Sequence, residues 1–216
     1  MRPLPPAFYR RPTLEVARDL LGRRLLVGGN GRLCGGRIVE VEAYIGEADP
    51  ACHAHRGLTH RNRIMYGPPG RAYVYFTYGN HWMLNFVTER EGFPAAVLIR
   101  ALEPELGLPA IRRRRRVSRD HDLTNGPGKL TAALRINGAD NGASLQGPRL
   151  LVGGADDRDQ AVARSGRIGV DAGADIPWRF YLADNPWVSH HHRGHTPTRN
   201  KACHDILIRQ ELPKCR

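Results

Sequence analysis

The stretch that most constrains this chain is Gly35 to Asn85, which begins as a strand bearing carboxylates and ends as a hairpin bearing aromatics. Side chains alternate along a strand, so Arg37–Tyr44 puts Val39, Val41 and Ala43 on one face and Ile38, Glu40, Glu42 and Tyr44 on the other. The first face is ordinary core. The second is unusual, because two acids and a tyrosine share one side of a strand whose other side is apolar. Further on, Ala72–Tyr78 and His81–Thr88 are aromatic and β-branched runs separated by Gly79-Asn80, which predicts a two-residue hairpin turn with glycine at the positive φ. Tyr73 and Tyr75 then share a face, and Tyr78 sits beside the turn at the tip of the ribbon. Between strand and hairpin, residues 45–71 hold turns, histidines and prolines and read as a long irregular loop. Loops of that length in compact domains are usually functional.

The flanking segments supply the rest of one domain. Leu14, Ala17, Leu20 and Leu21 mark a helical face after Thr13, a candidate N-cap, with Gly22 ending the helix. Leu25–Val27 and Leu33–Tyr44 read as strands joined through Gly28-Gly29-Asn30-Gly31. Ala95–Leu102 is apolar except for Arg100, which places that guanidinium either at the strand's end or in a polar pocket. Pro127 opens a helix over LTAALRI that closes before Gly138. Arg149–Val152, Arg167–Val170 and Trp178–Leu182 read as short strands, and the histidine-rich residues 190–216 as a loose tail. There is no internal repeat and no domain boundary. The fold class that follows is α+β: a single domain over residues 1–189, with a curved, mainly antiparallel sheet, peripheral helices and a protruding β-hairpin.

The chain has 33 basic and 21 acidic residues among 216, a net charge of +12, and that excess predicts an anionic partner, nucleic acid before acidic membrane. No run is long enough to span a bilayer and no leader precedes Thr13, so the expectation is an intracellular protein, in the nucleoid of a bacterium or the nucleus of a eukaryote. Arginine, suited to bidentate phosphate contacts, carries nearly all the positive charge; Lys129, Lys201 and Lys214 are the lysines. Arg112–Arg116 reads equally as a solvated face or as a phosphate contact. The free amides at Gly128 and Lys129, at the start of a helix, would also attract a phosphate. Cys34, Cys52, Cys203 and Cys215 show no paired spacing and read as free thiols. Cys52, His53, His55 and His60, like His190, His191, His192 and His195, lack the paired spacing of a structural metal site, so no metal and no cofactor is expected.

Taken alone, Glu42 reads as a surface acid paired with one of many arginines. Its neighbours argue otherwise. Acid, arginine and stacked aromatics around one hollow suit an aromatic cation or a nucleobase, with the acid activating water. At this point VEVEAYIGEADPACHA, RNRIMYGPPGRAYVYFTYGNHWMLN, AVLIRALEP, NGPGKLTAAL, RIGV and WRFYLADNPWVS, in consistent order from about Thr13 to Ser189, resemble the alkyladenine (3-methyladenine) DNA glycosylases. The likeness is to the compact mixed-sheet family, not to the helix-hairpin-helix enzymes.

The resemblance implies Glu42 as the general base that activates water and Arg100 as an arginine that helps hold that water. It implies Tyr44, His53 and Tyr75 as the walls around an extruded base, Asn85 as the side chain that checks the purine edge, and Tyr78 as the wedge left in the duplex. It further implies a monofunctional, monomeric enzyme that removes alkylated purines (3-methyladenine, 7-methylguanine) from duplex DNA without cutting the backbone. The shortage of lysine agrees, because lyase-type glycosylases form a Schiff base through an amine. The competing reading is a non-catalytic nucleic-acid-binding module on the same scaffold; a weaker one is an RNA or nucleoside N-glycosidase. Two places depart among relatives, Ala51-Cys52 and Asn80-His81-Trp82, and they leave the lesion range open.

Overall fold

The computed structural model describes residues 1–29, 31–154 and 161–189. Helices α1 (Pro6–Tyr9) and α2 (Thr13–Leu20) precede strands β1 (Arg24–Gly29), β2 (Arg32–Ile45), β3 (Ala72–Thr77), β4 (His81–Val87) and β5 (Ala95–Leu106). Helices α3 (Leu108–Arg115) and α4 (Pro127–Leu134) follow, then β6 (Leu150–Gly153), β7 (Val162–Ser165) and β8 (Arg179–Leu182). The strands form one curved antiparallel sheet in the order β3-β4-β5-β2-β1-β6, with β8 on β2 and β7 on β8. The α+β reading holds.

β2 is interior rather than edge. Its 14 residues pair with β5 from Gly35 to Ile45, while its other edge takes β1 at one end and β8 at Glu40–Glu42. The period-2 pattern then decides what each face meets. Val39, Val41 and Ala43 join Leu84, Phe86, Val97 and Ile99 in the main core, covered by Val16, Ala17 and Leu20 of α2 and by Leu130, Ala133 and Leu134 of α4. Full burial of each larger aliphatic or aromatic side chain contributes about 1.5–3 kcal/mol. On the opposite face the loop after β2 folds back, and Cys52, Ala54 and Met65 pack on Tyr73, Val87 and Ala96. The long loop is therefore a roof over the polar side of the sheet.

Several local expectations change. The hairpin pairs Thr77 with His81, so the turn is the three residues Tyr78-Gly79-Asn80 and not Gly79-Asn80 alone. Tyr78 itself adopts φ 53°, next to Gly79 at 70°. Thr13 is the first helical residue, not the cap; its amide donates to Glu89 Oε1 at 2.6 Å, a cap supplied from a distant turn. α4 closes on Arg135 in the left-handed region, and Gly138 instead begins a short 3-10 turn capped by Asn137. Arg167–Val170 is no strand, because the backbone at Ile168 bonds to site side chains instead of a ladder. β7, just before it, lacked any clear alternation. Asn30 of the expected turn, and the tail with its histidines and two of the cysteines, lie outside the described residues; Cys34 and Cys52 are buried free thiols.

Candidate active site

Strand register assembles the site. Tyr73 pairs with Asn85, Asn85 with Leu98, and Leu98 with Glu42, so one transverse row crosses β3, β4, β5 and β2 on the roofed face. Two residues along each strand, on the same face, stand Tyr75, Met83, Arg100 and, either side of Glu42, Glu40 and Tyr44. The β2–β5 ladder is irregular at Ile38/Glu40 and Glu40/Val41, beside Arg100. Such irregularities concentrate next to functional sites, where they re-aim a side chain.

Glu42 is fully buried. Its Oε2 accepts from the Tyr44 hydroxyl at 2.9 Å and from Arg100 Nη1 at 3.1 Å, and its Oε1 accepts from the Ile168 amide at 2.7 Å. A carboxylate has about four acceptor positions, so one remains on the Oε1 side. Arg100 is shared: its Nε donates to Glu40 Oε1 at 2.9 Å. Glu40, also fully buried, accepts from Arg179 Nε at 2.7 Å and from the Ser189 amide at 2.6 Å. Two carboxylates and two guanidiniums thus neutralise one another inside the protein. Burial by itself opposes the charged form of Glu40, but Arg100, Arg179 and the Ser189 amide hold its pKa below the usual carboxylate range. Burial also works against the cation at Arg100, and Glu42 and Glu40 outweigh it, so its pKa is raised.

The cavity beside these groups has a volume of about 410 Å³; its lining includes Tyr44, His53, Tyr75, Tyr78, Arg100 and Ile168. A gap of about 20 Å³ continues inward past Tyr73 to Asn85, whose Nδ2 donates to the Tyr73 carbonyl at 3.1 Å. One wall is the His53–Tyr75 pair, with ring centroids 4.4 Å apart, and Tyr44 stands on the lining with them. His53 shares a 2.8 Å hydrogen bond through Nδ1 with the Tyr73 hydroxyl. Desolvation in the cavity wall, assisted by Arg61, pushes its pKa down to about 4, so the imidazole is neutral at physiological pH. Burial first, and Glu42 next, push the Tyr44 hydroxyl well above the usual tyrosine range, so it stays a donor to that carboxylate.

Tyr78 is 74% exposed at the hairpin tip, and its hydroxyl lies 4.0 Å from where a side chain on Gly169 would begin. A tyrosine in the left-handed region costs about 1–2 kcal/mol. Such strain at an exposed aromatic fits a position selected for display rather than packing. Gly128 is buried beneath the His81 ring. Lys129 Nζ is engaged by Asp122 at 3.2 Å and Asn125 at 2.8 Å, while Pro127 lines the cavity. The start of α4 therefore reaches the mouth, but its lysine is already partnered. Cys52, His53, His55 and His60 do not converge: among the described residues no group of three His, Cys, Asp or Glu could hold a metal ion. No described helix is long and apolar enough to cross a membrane.

Residues that sequence reasoning missed form the back of the site. The segment around Ile168 straps across Glu42 and Arg100, and Arg167 anchors it: both Nη atoms bond to Asp49 (2.6 and 2.8 Å) with neither side chain exposed. The Arg167 guanidinium also lies 4.9 Å from the Tyr44 ring centroid and 5.1 Å from that of Trp178. RIGV stood out as a motif without a role. Glu40 was visible beside Glu42, but nothing in the pattern pointed to Arg179 or Ser189, more than 130 residues away in the chain.

Comparison with known proteins places the chain among its relatives. The family model described as "Methylpurine-DNA glycosylase (MPG)" matches residues 7–186. Proteins named "Putative 3-methyladenine DNA glycosylase" are similar along most of their length. One from Carboxydothermus hydrogenoformans is 48% identical over 188 residues, covering 86% of this chain and 98% of that protein. One from Methanocella arvoryzae is 50% identical over 195 residues (86% and 95%), and one from Chlorobium phaeobacteroides 48% over 184 (84% and 92%). With a matched region that contains every strand and every cavity residue described above, the chain belongs to the methylpurine-DNA glycosylase family.

Proposed function

We propose that this protein removes alkylated purines, of the 3-methyladenine and 7-methylguanine type, from duplex DNA by hydrolysis of the N-glycosidic bond. The observation that carries the reading is a fully buried Glu42 whose three donors belong to Tyr44, Arg100 and Ile168, residues that line an aromatic cavity. A non-catalytic binding module gains nothing from a desolvated acid, and leaving one in place is costly unless it is paired. An enzyme that acts on a base within a duplex must extrude it, at a cost of a few kcal/mol, least where the pair is damaged. Tyr78 fills the vacated position, as other intercalating side chains do. The nucleotide enters the cavity with its base against Tyr44 on one side and His53 and Tyr75 on the other. A purine alkylated at N3 or N7 carries positive charge, and electron-rich rings attract it by about 0.5–2 kcal/mol.

That charge also makes the base a good leaving group. The C1′–N bond breaks, its electron pair neutralises the departing base, and the sugar develops oxocarbenium character. Water oxygen bonds to C1′ while Glu42 takes the proton through its remaining acceptor position. Arg100, with the Ile168 backbone, fixes the carboxylate's orientation. Lys129, the one lysine among the described residues, is held by Asp122 and Asn125 and does not line the cavity, which supports a monofunctional reaction that ends at an intact abasic strand. It works as a monomer, since one chain supplies all the groups named here.

The deciding experiment is single-turnover release of base from duplexes that each carry one defined lesion, with intact protein and Glu42→Gln. Loss of release at unchanged duplex affinity is expected. Full activity in Glu42→Gln would exclude the mechanism, and borohydride trapping of a protein–DNA adduct would exclude the monofunctional reading.

A further inference from the structure

A larger hollow lies elsewhere. A trough of about 1010 Å³ is bordered by the β1–β2 end, the C-terminal half of α3 and the C-terminal end of α4. Its lining includes Arg32, Arg113, Arg114, Arg116, Arg135 and Arg149 and, among the described residues, no acid. It shares no lining residue with the aromatic cavity. α4 joins the two: Pro127 lines the cavity and Leu134 the trough, about 12 Å along an eight-residue helix.

Helix C-termini attract cations, and that accounts for part of the cluster. Arg114 Nη1 donates to the Ala133 carbonyl at 2.7 Å, and Arg149 to the Arg135 and Gly28 carbonyls at 2.7 Å while pairing with Asp140. It does not account for Arg32, Arg113, Arg116 and Arg135, which are exposed and whose side chains make no hydrogen bond or ion pair among the described residues. Arg116 and Arg135 also close their helices at φ 50° and 57°, where glycine is the usual residue. Like charges gathered without counterions repel one another, so the protein bears a cost here that a bound polyanion would relieve.

We propose that this trough binds the phosphate backbone of a second segment of duplex DNA, separate from the one presented to the cavity. Guanidiniums carried on three elements around an open trough match a row of phosphates; a small anion needs donors converging on a point. Val27, Cys34 and Leu134 of the lining belong to the main core, on the face of the sheet opposite the aromatic cavity. A duplex seated over Tyr78 therefore does not fill the trough. A protein holding two segments transfers between them without release, which lets it search DNA beyond one sliding run. The proposal goes beyond base removal and takes from that reading only the identity of the polyanion.

The test compares intact protein with Arg32→Gln/Arg113→Gln/Arg116→Gln, none of which touches the cavity. Protein is held on an immobilised undamaged duplex and capture of a second labelled duplex is measured. Each phosphate contact adds about 0.9 to the slope of log affinity against log salt, so the triple variant should lose at least tenfold in second-duplex capture and about 2–3 in slope. Excision from a short lesion duplex under single turnover should be unchanged, as should the melting temperature. Undiminished capture overturns the proposal, and so does an equal fall in excision from the short duplex. A trough that takes inorganic tripolyphosphate but whose neutralisation leaves capture intact also overturns it. The capture measurement uses undamaged DNA, so an absence of glycosylase activity in the intact protein would sink the reading of the cavity without deciding this one.

Discussion

The aromatic cavity and the arginine trough lie at opposite ends of α4 and treat charge in opposite ways. Around Glu42 every charge is answered inside the protein: Glu40 and Glu42 against Arg100 and Arg179, Asp49 against Arg167. In the trough, Arg32, Arg113, Arg116 and Arg135 stand exposed with no acid on the lining among the described residues. Matched, desolvated charge is rigid and holds a reacting group in one orientation before substrate arrives. Unmatched, solvated charge is adaptable and serves a partner whose position varies. The fold places the matched charges on one face of the sheet and the unmatched ones on the other.

The comparison breaks first at Glu42. Glu42→Gln should lower excision by about 10²–10⁴-fold, the usual contribution of a general base, and leave duplex binding intact. Arg167→Leu should come next. It strands the fully buried Asp49 and frees the Ile168 strap, so urea denaturation should show a loss of about 3–5 kcal/mol. Arg113→Gln should stay within about 0.5 kcal/mol of the intact protein in the same assay, since it removes an exposed side chain with no partner. If the two cost the same, the division between matched and unmatched arginines is wrong.

Tyr78→Ala should reduce excision from duplex by roughly tenfold, because a wedge offsets only part of a few kcal/mol of unstacking. It should have little effect on a single-stranded substrate, and an equal loss on both would remove the wedge assignment. A further effect concerns His53. Its folded pKa of about 4 lies below the unfolded value near 6.5. Between those pH values the unfolded chain binds a proton that the folded chain does not, so stability rises with pH across that window and is lost as pH falls toward 4. Below 4 both states are protonated and the slope ends. His53→Phe should flatten the denaturation midpoint between pH 4 and 6.5, and an unaltered slope would place the titration elsewhere.

Periodicity made much of this legible. The alternation in Arg37–Tyr44 put Glu42 and Tyr44 on the face opposite the core, and the apolar run around Arg100 allowed a polar pocket, which Glu40 and Glu42 provide. The first inference needs only the alternation of side chains along a strand, and the second only a single charge in an otherwise apolar run. The turn was off by a residue because Tyr78 accepts a left-handed φ that its side chain disfavours; local propensity does not predict a strain stabilised by the surrounding hairpin. The Arg167–Val170 segment failed as a strand for a related reason: β-branched residues signal extended backbone, but not which partner takes its hydrogen bonds.

Sequence by itself therefore determined the fold class, the carboxylate strand, the aromatic ribbon and an anionic partner, because these follow from local periodicity and summed charge. Tertiary structure decided which charges are matched. Ile168 reaches Glu42 across 126 positions of chain and Ser189 reaches Glu40 across 149, distances over which no local pattern carries information. Composition counts arginines alike, whereas burial and the nearest carboxylate separate Arg100, paired with the buried Glu40 and Glu42, from Arg113, whose side chain stands exposed without a partner among the described residues.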